Sequence, residues 1–254
     1  MTSGAEVRTE MQAPLRVDLS GIDTVIFDKD GTLIDFHAMW GRWALELGER
    51  LDGATRRPVS GDVFATIGFD PAGGRVLAGA PLAVATMAEI RETVAAVVRR
   101  WCPSVSAARR AVEAAWFEPD PLATAVPIGD VRALCGELRA SRRLIAVATT
   151  DDRAPTEATL RGLGVRGEIA AIACGDDGIG VKPDPSMLLA LCQATRVPPA
   201  RAAMIGDTPA DLAMGRAAGA GRVVGVLSGV GSRAELAPFA DALLDSVGEL
   251  LVAG

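Results

Sequence analysis

Apolar and polar positions divide the chain into three regimes. Residues 1–20 are polar and mixed in charge, without a sustained apolar period, and read as a flexible N-terminal tail. The run Thr24-Val25-Ile26-Phe27 is continuous and rich in β-branched residues, which predicts a fully buried strand. From Phe36 to Leu122 the period is helical. His37 to Leu51 places Trp40, Trp43, Ala44 and Leu47 on one face, and Leu82 to Trp101 and Ser104 to Phe117 follow, with Ser104 as N-cap. Between them Gly53 to Pro81 is dominated by Gly and Pro, and no strand is predicted anywhere in this region. Pro119, Pro121 and Pro127 close it.

Beyond Ile128 helix and strand alternate. Helices are predicted over Val131–Ala140, Pro155–Leu163, Asp184–Ala194 and Pro209–Ala218. Strands are predicted over Leu144–Ala148, Ile169–Cys174, Ala202–Ile205 and Val223–Leu227. Alternation of this kind predicts an α/β fold, a Rossmann-like doubly wound parallel sheet. The helical stretch is then an insertion. The expected organisation is a tail over 1–20, a core domain from 21–35 and 123–254, and an α-helical cap domain over 36–122.

Composition narrows the function classes. The 254 residues carry a formal net charge of -6 and no long basic run, which argues against nucleic acid and against an anionic membrane surface as partners. With no Tyr and 4% aromatics, the core must be built from aliphatic side chains. No signal-peptide pattern and no membrane-spanning run are visible, and Cys102, Cys135, Cys174 and Cys192 form no C-x-x-C pair. Free thiols in a cytoplasmic protein are the expectation.

The chemistry sits where strands end. The first strand runs into Asp28-Lys29-Asp30-Gly31-Thr32-Leu33. Two carboxylates ending a buried strand need a partner, and in an open α/β sheet ligands bind at the carboxyl ends of the strands. Thr149-Thr150 follow the second core strand. Lys182 lies in Val181-Lys182-Pro183-Asp184-Pro185 after the third, and Asp207 and Asp211 lie in Gly206-Asp207-Thr208-Pro209-Ala210-Asp211 after the fourth. Singly, each has an ordinary reading: a turn, a solvated charge, a helix cap. A parallel sheet, however, brings all of them to one edge.

These stretches, in this order, resemble the four motifs of the haloacid dehalogenase superfamily: Asp-x-Asp-Gly-Thr-Leu, a Thr after an apolar strand, a Lys followed by Pro-x-Pro, and Gly-Asp-x-x-x-Asp. The helical insertion is similar to the mobile cap of the phosphoglycolate-phosphatase-like group, and the stretch Ala240 to Leu250 resembles the family's last strand and helix. The resemblance implies a Mg²⁺-dependent phosphatase acting on a small phosphate monoester, with 2-phosphoglycolate a candidate. Asp28 would be the nucleophile that forms an aspartyl-phosphate, and Asp30 the general acid and base. Thr149, Thr150 and Lys182 would contact the phosphoryl group. Asp28, Asp30 through its carbonyl, Asp207 and Asp211 would form the metal site, Asp211 directly or from behind a water.

Alternatives within this resemblance are a phosphosugar mutase and a non-catalytic phosphate-binding regulator. Asp30 and Asp207 argue against a metal-free dehalogenase, and no motif residue is missing, as a non-catalytic member would require. The expected partner is a small phosphorylated metabolite, and the expected state a monomer or homodimer. His37, the only histidine, is read as a linker residue without catalytic duty, and Lys29 is assigned no role. Arg75 is open between a substrate-carboxylate contact and a solvated surface charge.

Overall fold

The computed structural model describes residues 17–117 and 125–250. Strand β1 (Thr24–Phe27) leads into α1 (Phe36–Thr55), whose N-terminus is capped by the Asp35 carboxylate accepting from Ala38 N at 2.9 Å. Helix α2 (Ser60–Ile67) precedes a short hairpin, β2 (Phe69–Asp70) with β3 (Arg75–Val76). Helices α3 (Pro81–Val84), α4 (Met87–Arg99) and α5 (Val105–Ala115) complete the insertion as far as it is described. The chain then alternates: α6 (Val131–Ala140), β4 (Leu144–Ala148), α7 (Arg153–Gly162), β5 (Ile169–Ala173), α8 (Ser186–Thr195), β6 (Ala202–Gly206), α9 (Pro209–Ala218) and β7 (Arg222–Val226). A short α10 (Arg233–Leu236) and β8 (Ala242–Leu244) end it.

Six strands form one parallel sheet in the order β5-β4-β1-β6-β7-β8, with β1 between β4 and β6. Successive β1 side chains face opposite layers. Val25 and Phe27 pack with Leu134 and Leu138 of α6 and Leu160 of α7, while Ile26 packs with Met187 and Leu191 of α8 and Met214 of α9. Burial on both faces is why β1 reads as an unbroken apolar run rather than an alternating one. The insertion buries a separate cluster around Trp43, Leu47, Ile67, Ile90 and Val98.

The structure departs from the sequence expectations at five places. Val17 and Leu19 are buried in the main core, so residues 17–20 are not part of a free tail. The insertion holds the β2–β3 hairpin and α2, in a stretch expected to be irregular. Strands of two residues are too short to show alternation. The Leu82–Trp101 pattern is broken at Ala85-Thr86, where the Thr86 hydroxyl accepts from Glu89 N at 3.3 Å and the Glu89 carboxylate accepts from Thr86 N at 2.8 Å. This capping box starts α4 afresh. Helix α8 begins at Ser186 rather than Asp184, whose carboxylate accepts from Ser186 N at 2.8 Å. After β8 there is one 3₁₀ turn, Val247–Glu249, in place of a helix.

Of the three prolines expected to close the insertion, Pro119 and Pro121 lie outside the described residues. At Pro127 the returning chain runs beside the departing one: Asp35 N donates to Val126 O at 2.7 Å and Ile128 N to Leu33 O at 2.9 Å. Both connections therefore meet the core next to the end of β1. Among the described residues no helix is long and apolar enough to cross a membrane.

Candidate active site

Strand order assembles the site. Phe27 is in register with Val147 of β4 and Ile205 of β6, so the residues just past these three strands are neighbours. Asp28 N donates to Ile205 O at 2.8 Å, and Asp28, Thr149 and Asp207 are all buried. Asp211 joins them from the first turn of α9, where its Oδ2 accepts from Thr208 N at 3.0 Å and from the Thr208 hydroxyl at 2.6 Å. One carboxylate oxygen each from Asp28, Asp207 and Asp211 lie within 4.8 Å of one another.

Lys182 reaches this cluster from the segment after β5. Its ammonium donates to Asp28 Oδ1 and lies 2.6 Å from Asp211 Oδ1. Burial works against its charge, but the carboxylates of Asp211 and Asp28 outweigh it and hold the lysine protonated. The acids are in the opposite position. Burial pushes Asp28 up to about 7, with the Lys182 ammonium opposing and the Asp211 and Asp30 charges adding. Burial also holds Asp207 well above the usual carboxylate range, reinforced by Asp28 and Asp211.

Three carboxylates against one ammonium is an excess of negative charge in a buried place, and it requires protons or a cation. A hard-oxygen donor set without thiolate or imidazole fits Mg²⁺. The surroundings of Asp207 agree, because they leave no room for anything but glycine. A Cβ on Gly229 would lie 1.9 Å from Asp207 Oδ2, and one on Gly31, where φ is +87°, would lie 2.5 Å from the same atom. Asp207 Oδ2 accepts from Val230 N at 2.9 Å, and Oδ1 lies 3.4 Å from the Thr32 hydroxyl, which donates to it. Ser228 donates to Gly31 O at 2.7 Å, so the loop after β7 is tied to both the first motif and the fourth.

The Thr149 hydroxyl accepts from Asp151 N at 3.2 Å, which leaves its own proton free to be donated. Thr150, expected beside it at the phosphoryl group, is exposed, and its side chain forms no hydrogen bond among the described residues. Asp30 is raised to about 6 by burial, with Lys29 opposing and Asp151 adding. Lys29, assigned no role from the sequence, is itself buried. Its ammonium lies 2.8 and 2.7 Å from the two Asp30 oxygens and 2.9 Å from Asp151 Oδ2. A lysine between two acids at the end of an apolar strand was the available signal. Asp151, two residues past Thr149, carried none.

Two further residues take their place in the structure. His37, read as a linker residue, links through its side chain: its Nδ1 accepts from Val76 N of the hairpin at 3.2 Å and its Nε2 lies 3.1 Å from Gly229 O of the core. An accepting Nδ1 leaves Nε2 as the donor to that carbonyl, so the ring bridges insertion and core. Arg75 is exposed on β3 and makes no ion pair among the described residues. Trp40 and Trp43 pack edge to face, with centroids 5.6 Å apart, in the insertion's own core.

A doubly wound parallel sheet with buried carboxylates and lysines at its strand ends, beside a helical insertion, defines a hydrolase core with a charge-dense centre. The chain belongs to the haloacid dehalogenase-like hydrolase family, whose model matches residues 22–219. A phosphoglycolate phosphatase of Rhodospirillum rubrum is 34% identical over 203 residues, which cover 79% of this chain and 78% of that protein. Among solved structures, a candidate β-phosphoglucomutase of Thermotoga maritima aligns with a TM-score of 0.64 at 20% identity, over 90% of this chain and 96% of that one. A hydrolase of the same family from Deinococcus radiodurans, with phosphate and sodium bound, aligns with a TM-score of 0.61 at 20% identity, over 90% and 93%. At these identities the two structures speak for the fold.

Proposed function

We propose that this chain is a Mg²⁺-dependent phosphatase that hydrolyses a small phosphate monoester, of which 2-phosphoglycolate is the first candidate, through an aspartyl-phosphate. The chain is a phosphoric monoester hydrolase by its family and its relative in Rhodospirillum rubrum. The observation that carries the finer reading is the pairing of Asp28 with Lys182 beside Asp207 at the edge of the central strands.

Asp28, Asp207 and the Asp30 carbonyl would hold Mg²⁺, with Asp211 within reach. The cation, when bound, supplies positive charge against the phosphoryl dianion. The protein's own groups do the rest. The Asp28 carboxylate attacks phosphorus and the alkoxide leaves with a proton from Asp30. Asp30 then takes a proton from the water that cleaves the acyl phosphate. The Thr149 hydroxyl and the Lys182 ammonium hold the phosphoryl oxygens, and Asp211 keeps the ammonium aimed.

The insertion leaves and rejoins the core beside this site, which supports a cap that shields it and admits metabolites rather than folded phosphoproteins or nucleic acid. We place the enzyme in the cytoplasm, as a monomer or homodimer. Its four cysteines are free thiols, three of them buried, which supports a reducing compartment. Both ring nitrogens of His37 are engaged, which disfavours its use as an acid in a mutase.

The test is phosphate release from p-nitrophenyl phosphate and 2-phosphoglycolate with Mg²⁺ and with chelator. Activity should require Mg²⁺, and Asp28→Asn should abolish it while leaving the fold intact. Wild-type rates in Asp28→Asn, or full activity in excess chelator, overturn the reading.

A further inference from the structure

The geometry points to Lys29 as a positioning residue for Asp30, anchored by Asp151, that sets how well Asp30 serves the departing alcohol; this rests on the phosphatase reading above. Two lysines serve the site, and each bridges two carboxylates. Lys182 joins Asp28 to Asp211. Lys29 joins Asp30 to Asp151 and lies outside the metal cluster.

Its side chain is only 3% exposed, so water cannot replace its partners. An ammonium has three N–H donors, and three carboxylate oxygens surround this one at 2.7–2.9 Å. Both Asp30 oxygens face the same nitrogen, which fixes the plane of that carboxylate. Asp151 secures the lysine from the loop after β4, and its own side chain is 38% exposed. The Lys29 carbonyl adds to the clamp, because it accepts from Leu33 N at 2.9 Å and Ile34 N at 3.1 Å and closes the turn that carries Asp30. A surface counter-ion would need none of this.

A residue that acts through Asp30 should affect only what Asp30 does. In the first half-reaction that is protonation of the leaving oxygen, and kcat/KM reports this half-reaction alone. An alkyl alkoxide needs the proton, whereas p-nitrophenolate is stable enough to leave without it. Lys29→Met and Asp151→Asn should therefore lower kcat/KM for 2-phosphoglycolate or another alkyl phosphate more than for p-nitrophenyl phosphate. The excess should be about tenfold or more for Lys29→Met and smaller for Asp151→Asn. Lys29→Arg should recover part of it. Adding Lys29→Met to Asp30→Asn should bring no further discrimination between the esters, since the group acted upon is already gone.

Melting temperature and circular dichroism monitor the fold, and Asp151, half-buried and at the outer end of the clamp, supplies a second variant that leaves the lysine itself in place. Equal losses on both esters, or a Lys29→Met penalty that persists in the Asp30→Asn background, make Lys29 a structural counter-ion and overturn the inference. In those outcomes the phosphatase reading stands, because wild type still turns over both esters with Mg²⁺. A wild type that hydrolyses neither ester removes both.

Discussion

Raising the pH of the metal-free protein from 5 to 8 should destabilise it, against the usual trend for an acidic protein approaching neutrality. In chelator Lys182 is, among the described residues, the one cation beside the Asp28, Asp207 and Asp211 carboxylates. Burial lifts Asp28 from 3.8 to about 7 in the folded state, against the pull of Lys182. A folded pKa above the unfolded one means that the folded state binds the extra proton. Stability from this group is complete below the unfolded value and is lost as pH rises through the folded value. At pH 5 the unfolded chain has already released the proton, whereas folded Asp28 keeps it until about 7. Each pH unit in between costs about 1.4 kcal/mol, so two units cost roughly 3 kcal/mol. Asp30, lifted to about 6 by burial against Lys29, acts in the same direction over the lower part of the window. Carboxylates held low, such as Asp177 beside Arg153, titrate below the window and leave it clear. A loss near 3 kcal/mol is a large part of a typical stability of 5–15 kcal/mol. The assay is urea unfolding at pH 5, 6, 7 and 8 in chelator and in excess Mg²⁺. The cation binds the ionised carboxylates and should flatten or reverse the slope. Asp28→Asn should lose a large part of the slope, the remainder belonging to Asp30 and Asp207, which burial also raises. Stability that is flat or rises with pH in chelator, or a full slope in Asp28→Asn, would refute the reasoning.

Other perturbations test other parts of the site and the insertion. Lys182→Met strands Asp28 and Asp211 as unpaired buried charges and should cost about 3–5 kcal/mol by urea unfolding in chelator at pH 8, less at pH 5. Gly229→Ala places a methyl group 1.9 Å from Asp207 Oδ2; calorimetric titration should show Mg²⁺ binding weakened by about tenfold or more, with overpacking of about 1–3 kcal/mol in stability. Thr86→Ala removes the capping box of α4 and should lower stability by about 1 kcal/mol, read as a shift in melting temperature.

The pattern of apolar runs was enough to place the core sheet and to single out the acids at its edge. A strand buried on both faces must be apolar throughout, so β1, β4, β6 and β7 were visible as runs, and Asp28, Asp207 and Asp211 stood out as the charges where those runs stop. Their convergence followed from parallel topology alone. The start of α4 was also written locally, in Thr86-Met87-Ala88-Glu89, although the longer apolar period concealed it. Tertiary structure decided what depends on which loops meet. The pairing of Lys29 with Asp151, the His37 bridge from Val76 to Gly229, and the fit of Gly229 against Asp207 each join segments far apart in the chain. Periodicity reports whether a residue is buried; it does not report which distant charge it is buried against, because that is set by strand order and register.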